Sequence, residues 1–477
     1  MMDIKKPIDN IFKLYRKEGI IDRFQVFFDI VCLLYFKSLG DFYEARKNSN
    51  LNAINYFKNH ENLKWSNLVA LDSNLQYEFY NKNIYPFLVQ QDLGIGIKKL
   101  KEIYNAEISS TTFFYLINVI NNIFEVCCGN RIYKDNVRVY DEIYETLLSY
   151  IVKMPEWIMY KIPNHLQKLL CEMLDITLND KIYTNKVMTG EILVAAYKRM
   201  EVTNVSKELQ EDEDGFYMPS PKTDYLFPEE IRKCLILEGD EDNVVLRWIS
   251  LMNFYFHQIN YYQPQFEGLV SMIKKPESKY DKILGIYSKP QESANGIFNS
   301  ILTKMSHDGK AAIIVPIRFL YSGKFNGIRK KILNQGFLDS VITLPENEFT
   351  LSSSLSHSAV IILSNSENKF SNSIWFCDLK NDGYSNDKRR IKTPDKPLPD
   401  LIGAFKIKAE IQNVWFDSIN VKVEDVLDNY NFLLPSLYVD SVEDDIEYSN
   451  PQGLLDEIDS LHKKIGAAIY DLRQILS

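Results

Sequence analysis

From Lys5 to about Tyr150 apolar residues recur at intervals of three and four, most clearly through IIDRFQVFFDIVCLLYFKSLGDFYEA, and few glycines or β-branched runs interrupt them. That spacing lines the apolar side chains along one face of successive helices, so residues 1–150 read as a helical domain. The pattern then changes. Short β-rich runs alternate with helical ones: DKIYT precedes EILVAAYKRM, RKCLILEG precedes NVVLRWISLMNFYFHQI, YDKILGIY precedes NGIFNSILTKM, and KAAIIVP precedes NGIRKKILNQ. DSVITLP, SHSAVIILSN and NSIWFCDL continue the β-rich series. Strands alternating with helices predict an α/β domain over 151–405, built on a mostly parallel sheet covered on both faces. Ligands of such a sheet bind beyond the carboxyl ends of its strands, where each quoted strand turns into its helix.

Two stretches break the alternation. TNVSKELQEDEDGFYMPSPKTDYLFPEE is dense in acids and prolines, which predicts an insertion over 201–230 that contributes no strand to the main sheet. Residues 406–450 form a carboxyl-terminal extension. Beyond Asn450-Pro451, residues Leu454, Ile458, Leu461, Ile465, Ala468, Leu472 and Ile475 are spaced alternately four and three. That is a heptad seam, so 451–477 is expected to form a coiled-coil helix that packs on another helix, of this chain or of a partner.

Composition narrows the class. With 477 residues, 45% apolar and 25% charged, the chain has the make-up of a soluble globular protein of more than one core. Its longest apolar run, Phe27–Phe36, is half the roughly 20 residues needed to cross a bilayer, and the opening MMDIKKPIDN has no basic-then-apolar leader. A cytoplasmic protein without a membrane partner is expected. Cysteines 32, 127, 128, 171, 234 and 377 show no CxxC spacing, so they read as buried free thiols and no metal site is expected. The net charge of −9 excludes a chain that wraps nucleic acid by itself; DNA contact would be local or shared with a partner.

Five ordered segments carry a resemblance to a known family. They are LLYFKSLGDFYE (Leu33–Glu44), Tyr160-Lys161-Ile162-Pro163 with the helix HLQKLLCEML, the loop IYTNKVMTGEIL (Ile182–Leu193), KAAIIVPIRFLYSGKFNGIRKKILNQGFLDSVITLPENEF (Lys310–Phe349), and YNFLLPSLYV (Tyr430–Val439). Together they resemble the modification subunit of Type I restriction-modification enzymes, an adenine-specific DNA methyltransferase that uses S-adenosylmethionine. The resemblance implies a class I methyltransferase-like, Rossmann-like sheet between the helical domain and the heptad helix. It also implies partners: a DNA-specificity subunit, an active modification subunit or a restriction subunit, and DNA, within a bacterial defence system against foreign DNA.

Fold does not carry activity, so the site is read residue by residue. The family's cofactor loop, Tyr-Asp-Pro-x-Cys-Gly-x-Gly-Gly-x-Leu, falls on Tyr183–Leu193; Thr184 replaces the acid, Met188 the first glycine and Glu191 the third, while Gly190 remains. Those glycines let the backbone approach the cofactor, and Met188 and Glu191 would fill that space. Glu241 stands where the family keeps the acid that takes both ribose hydroxyls, and His257 reads as a helix-end histidine. The base-binding Asn-Pro-Pro-Phe, whose carbonyls hold the adenine amine and whose ring stacks on the flipped base, is replaced by Ile286, Tyr287, Ser288 and Lys289. No Pro-Pro occurs elsewhere, and NIYPF (Asn83–Phe87) lies in the helical domain. Thr184, Gly190 and Glu241 are therefore vestigial cofactor positions, and no catalytic residue and no cofactor are expected. An active, diverged adenine methyltransferase retaining S-adenosylmethionine is the alternative. Arg318, Lys324, Arg329, Lys330 and Lys331 are the candidates for contacts to DNA phosphates, with KRRIK (Lys388–Lys392) as a weaker set.

Overall fold

The computed structural model describes residues 4–48, 55–90, 96–129, 137–151, 162–204, 209–219, 236–241, 243–257, 259, 270–271, 279–288, 293–349, 355–366, 372–439, 462–463 and 465. Two compact units divide the chain, Met1–Pro435 and Ser436–Ser477. Of the second, only 436–439, 462–463 and 465 are described, so the heptad seam lies almost wholly outside the described residues.

The first unit opens with α1 (Lys5–Lys17), α2 (Arg23–Asn48), α3 (Trp65–Ala70) and α4 (Ser73–Phe79). A π-helical turn at Tyr80–Ile84 leads into α5 (Tyr85–Gln90), α6 (Ile97–Ile103), α7 (Ser110–Gly129) and α8 (Val137–Ile151). From Phe24 to Leu39 every residue except Asp29 is buried, so α2 is enclosed on all sides rather than laid on a surface.

Twelve strands follow among the described residues: β1 (Lys181–Thr184), β2 (Leu209–Glu211), β3 (Tyr217–Pro219), β4 (Ile236–Asp240), β5 (Val270–Ser271), β6 (Tyr280–Ile286), β7 (Met305–Pro316), β8 (Leu338–Thr343), β9 (Ser358–Ser364), β10 (Ser373–Leu379), β11 (Ile411–Gln412) and β12 (Phe416–Lys422). Ten of them form one sheet in the order β11-β12-β10-β8-β9-β7-β6-β1-β4-β5, and β2 and β3 pair only with each other. The acidic insertion thus makes a hairpin outside the main sheet. Pairings β1–β4, β1–β6, β4–β5, β6–β7 and β8–β10 are parallel, whereas β9 runs antiparallel between β7 and β8. Strands β7 and β9 read AAIIVP and AVIIL because both faces of the sheet are covered, which removes the polar half of the usual alternation.

The covering helices are α9 (Asn164–Met173), α10 (Glu191–Asn204), α11 (Val244–Phe256), α12 (Ala294–Lys304), α13 (Asn326–Asn334), α14 (Leu398–Ile407) and α15 (Val423–Asp428). Asn243 caps α11 by accepting from the Val245 and Leu246 N–H groups at 2.9 and 3.2 Å, and Ser293 caps α12 through the Gly296 N–H at 3.1 Å. The helical part and the sheet share one core across α11. Trp248 packs its ring against Phe24, Phe27 and Phe28 of α2, Tyr140 of α8 stacks on Phe256, and the Tyr144 hydroxyl donates to the Ile249 carbonyl at 2.6 Å.

Cys32, Cys171 and Cys377 are buried free thiols; the side chains of Cys127, Cys128 and Cys234 lie outside the described residues. Among the described residues no helix is long and apolar enough to cross a membrane.

Candidate functional site

The strand order reverses at β1. The chain steps from β1 outward to β4 and β5, then returns to place β6 and β7 on the other side. In open α/β sheets the ligand crevice lies at such a switch point, beyond the carboxyl ends of the two strands that flank it. Here those ends are Thr184 and Ile286, the two places where the sequence loses its expected chemistry.

One side chain bridges the two strand ends. Backbone pairing of β1 with β6 stops at Thr184 opposite Leu284. Asn185 continues it: its Nδ2 donates to the Ile286 carbonyl at 2.9 Å, and its Oδ1 accepts the Ile286 N–H at 2.9 Å. The amide group imitates one more residue of strand and consumes both backbone groups of Ile286. Tyr287 then donates its N–H to the Ile314 carbonyl at 2.9 Å and buries its ring edge-on against Phe325. Ser288 is half-buried, and Lys289 lies outside the described residues.

The loop after β1 is filled by its own residues. Gly190 has φ +84°, and a Cβ there would meet Ser250 Cα and Phe254 Cε1 at 3.1 Å, so glycine is kept for packing on α11. Met188 is buried and adopts φ +52°, a left-handed conformation uncommon for a side chain of this kind. Its N–H is held at 3.0 Å by one oxygen of Glu241, whose other oxygen takes the Asn243 N–H at 3.0 Å. Glu241 is therefore buried as a brace between the loop and the start of α11. Thr184 is buried and turns its hydroxyl to the Lys186 carbonyl at 3.0 Å. Val187 packs so closely on Gly239 that a Cβ at 239 would overlap both Val187 Cγ2 and Thr184 Cγ2. Glu191 accepts from the Thr189 hydroxyl at 2.8 Å.

The profile of the N-6 DNA methylase family matches residues 270–446. Over 175 residues, 36% of this chain, the sequence is 29% identical to the Type I restriction enzyme MpnII methylase subunit of Mycoplasma pneumoniae. That stretch spans 31% of the relative's length. The chain resembles a type I modification subunit in sequence and in fold. Its fold matches the type I modification-system methyltransferase subunit of Streptococcus thermophilus at a TM-score of 0.58, with 16% identity over 91% of this chain and 98% of that one. It matches the modification subunit of a putative type I restriction enzyme from Vibrio vulnificus at 0.61, with 13% identity over 88% and 93% of the two chains. The expected class I methyltransferase-like α/β fold is therefore present, as in those type I modification subunits.

The basic cluster separates into two kinds of residue. Arg318, Lys324, Lys330 and Lys331 are exposed, Lys331 with its ammonium 2.6 Å from Asn299 Oδ1. Arg329 is not a surface group, and its expected DNA contact is corrected. It is fully buried and donates to the carbonyls of Asn431 (2.8 Å), Phe319 (2.7 Å), Ser322 (2.8 Å) and Tyr321 (3.4 Å). Burial draws its guanidinium down to about 10, still protonated at neutral pH. Helical spacing divides the basic run: Arg329 lies on the buried face of α13 with Ile328, Ile332 and Leu333, while Lys330 and Lys331 lie on the exposed face. Within KRRIK, Lys388 and Arg389 are exposed, but Arg390 turns inward.

Arg390 enters a buried charge cluster that no sequence spacing announces. His165 Nε2, on α9, lies 2.7 Å from Glu348 and 3.2 Å from Asp382, and Arg390 bonds to both carboxylates. The His165 ring stacks on Tyr384 at 4.3 Å. Burial opposes charge on His165, yet Glu348 and Asp382 outweigh it and hold the imidazole up to about 9. Two acids, an imidazolium and a guanidinium thus close a neutral set that pins α9 to the loops after β8 and β10. Tyr160 and Lys161, which open the family-like segment ahead of α9, lie outside the described residues, while the Ile162 carbonyl accepts from Gln167 Nε2 at 2.6 Å.

Proposed function

We propose that this chain is a modification-subunit scaffold without methyltransferase activity, serving a bacterial restriction-modification or related DNA defence complex. The observation that carries this reading is the pair of hydrogen bonds between Asn185 and Ile286 across the switch point. A methyltransferase of this type needs acceptors aimed at the adenine amine where Ile286 stands. Ile286 has no polar side chain, and its carbonyl already accepts from Asn185. Glu241, the residue placed to hold a ribose diol, spends its two oxygens on backbone N–H groups instead. Removing one preorganised polar group commonly costs about a hundredfold in rate, and here such groups are missing for both cofactor and base.

The scaffold's partners in this reading are a DNA-specificity subunit, an active modification or restriction subunit, or both. DNA contact falls to exposed cations such as Arg318, Lys324 and Lys330, on the carboxyl-end side of β7. The test is transfer of labelled methyl groups from S-adenosylmethionine to DNA by the purified chain, alone and with the products of neighbouring genes. No transfer that depends on this chain's own site is expected. Transfer abolished by Glu241→Ala, in a variant that keeps its circular dichroism, would replace this reading with a diverged adenine methyltransferase.

A further inference from the structure

A cleft open to solvent, about 810 Å³ with its mouth included, lies between α9, α10 and the β2–β3 hairpin and is bordered by Asn253 of α11. Among the described residues none from the loops after β1 or β6 lines it, so it is separate from the switch-point crevice. Its walls are mostly apolar: Cys171 of α9, Val194, Ala195 and Val202 of α10, and Phe216 and Met218 of the hairpin. The hairpin is fixed as a wall, because the Lys168 ammonium of α9 donates to Asp212 at 2.6 Å and to Asp214 at 3.3 Å. The cleft is therefore pre-formed, as small-molecule sites usually are. Charged groups along it neutralise one another, Lys198 with Glu145 at 2.8 Å, Arg199 with Glu172 at 3.0 Å and Lys168 with Asp212. A neutral occupant suits it better than an ion.

One polar group on the wall is not satisfied. Asn253 is 1% exposed within the apolar run SLMNFYF of α11. Its Nδ2 donates to the Thr189 carbonyl at 3.0 Å, which fixes the orientation of the amide, since the reverse would set two acceptors together. Among the described residues no donor reaches Asn253 Oδ1. A buried acceptor without a donor is destabilising, and the open space that Asn253 borders is the cleft.

We propose that the cleft binds a small neutral aromatic molecule carrying a ring N–H or an amino group, which donates its hydrogen to Asn253 Oδ1. The apolar walls accept a flat ring system, and the hairpin adds the aromatic side chains of Phe216 and the 62% exposed Tyr217. The donor sets selectivity. A molecule of the same shape without it leaves Oδ1 unpaired and covers it further from water. Because Asn253 also holds Thr189 in the loop after β1, the occupant strengthens the grip on that loop through the same amide. The site is independent of methyl transfer and stands whether or not the chain has that activity.

The test is equilibrium dialysis of the full-length chain against indole and, separately, against benzofuran, which matches indole in shape but has an oxygen in place of the N–H. Indole is expected to bind saturably, one per chain, with a Kd below about 1 mM. Benzofuran should bind at least about tenfold more weakly. This comparison uses the native chain, so it decides the matter even where a variant misfolds. Ala195→Trp, which fills the cleft and leaves Asn253 untouched, should abolish binding of both probes. Asn253→Leu, in a preparation that keeps its circular dichroism, should reduce the preference for indole to less than about twofold. Absence of saturable indole binding at millimolar concentration would overturn the proposal. So would equal affinity for benzofuran, binding unchanged in Ala195→Trp, or a preference for indole that survives in Asn253→Leu.

Discussion

Asn185 and Ile286, 101 residues apart, exchange two hydrogen bonds of 2.9 Å between a side-chain amide and a backbone peptide. The pairing lengthens the β1–β6 ladder beyond its last backbone bond, at the point where the strand order reverses.

Asn185→Ala strips both partners from the Ile286 peptide, whose side chain is buried. Unpaired buried polar groups cost about 1–3 kcal/mol each, so urea denaturation should show a loss of roughly 3 kcal/mol. A loss under about 0.5 kcal/mol, within the range of ordinary surface substitutions, would mean that water replaces the amide and the crevice is open.

Arg329→Met leaves four carbonyl acceptors without their donor and should destabilise by about 3 kcal/mol or more. Arg329→Lys should not rescue it, because an ammonium lacks the planar fork that reaches them. Lys324→Ala and Lys330→Ala should leave stability unchanged. In the assembled complex they should lower DNA affinity, with the salt slope reduced by about 0.9 for each phosphate no longer neutralised. Equal destabilisation by all three sites would refute the division between buried and exposed cations.

His165 makes stability depend on pH in a defined window. Its folded pKa of about 9 lies above the unfolded value of about 6.5, so the folded state binds the proton more tightly. The contribution is fully present below the unfolded value and is lost as pH rises through about 9. Denaturation midpoints measured across that interval should fall in the native chain, and His165→Gln should flatten this part of the profile. A variant profile as steep as the native one would assign the dependence to other groups.

Much of the fold was legible because its signals are local. The change of period near residue 150 marks where helices give way to strands, and YDKILGIY, DSVITLP and SHSAVIILSN coincide with β6, β8 and β9. KAAIIVP proved to be the end of a strand that begins at Met305, where SHDGK offers no apolar run to reveal it. The pair β11 and β12 was not legible as part of the sheet, since FDSINVK is only half apolar and its place beside β10 is set by tertiary pairing. Site positions were legible only as substitutions. Glu241 reads in the sequence as a vestigial cofactor position and Asn185 only as the residue at the family's proline position, whereas the bonds they make depend on Met188 and Ile286, which the folded chain and not sequence spacing brings to them.

The most direct test of the central claim is calorimetric titration of the purified full-length chain with S-adenosylmethionine, repeated with S-adenosylhomocysteine. With the loop after β1 filled by Val187 and Met188 and Glu241 bonded to backbone, the expected result is no saturable heat at millimolar ligand. Saturable one-to-one binding at micromolar concentration, weakened by Glu241→Gln, would contradict it.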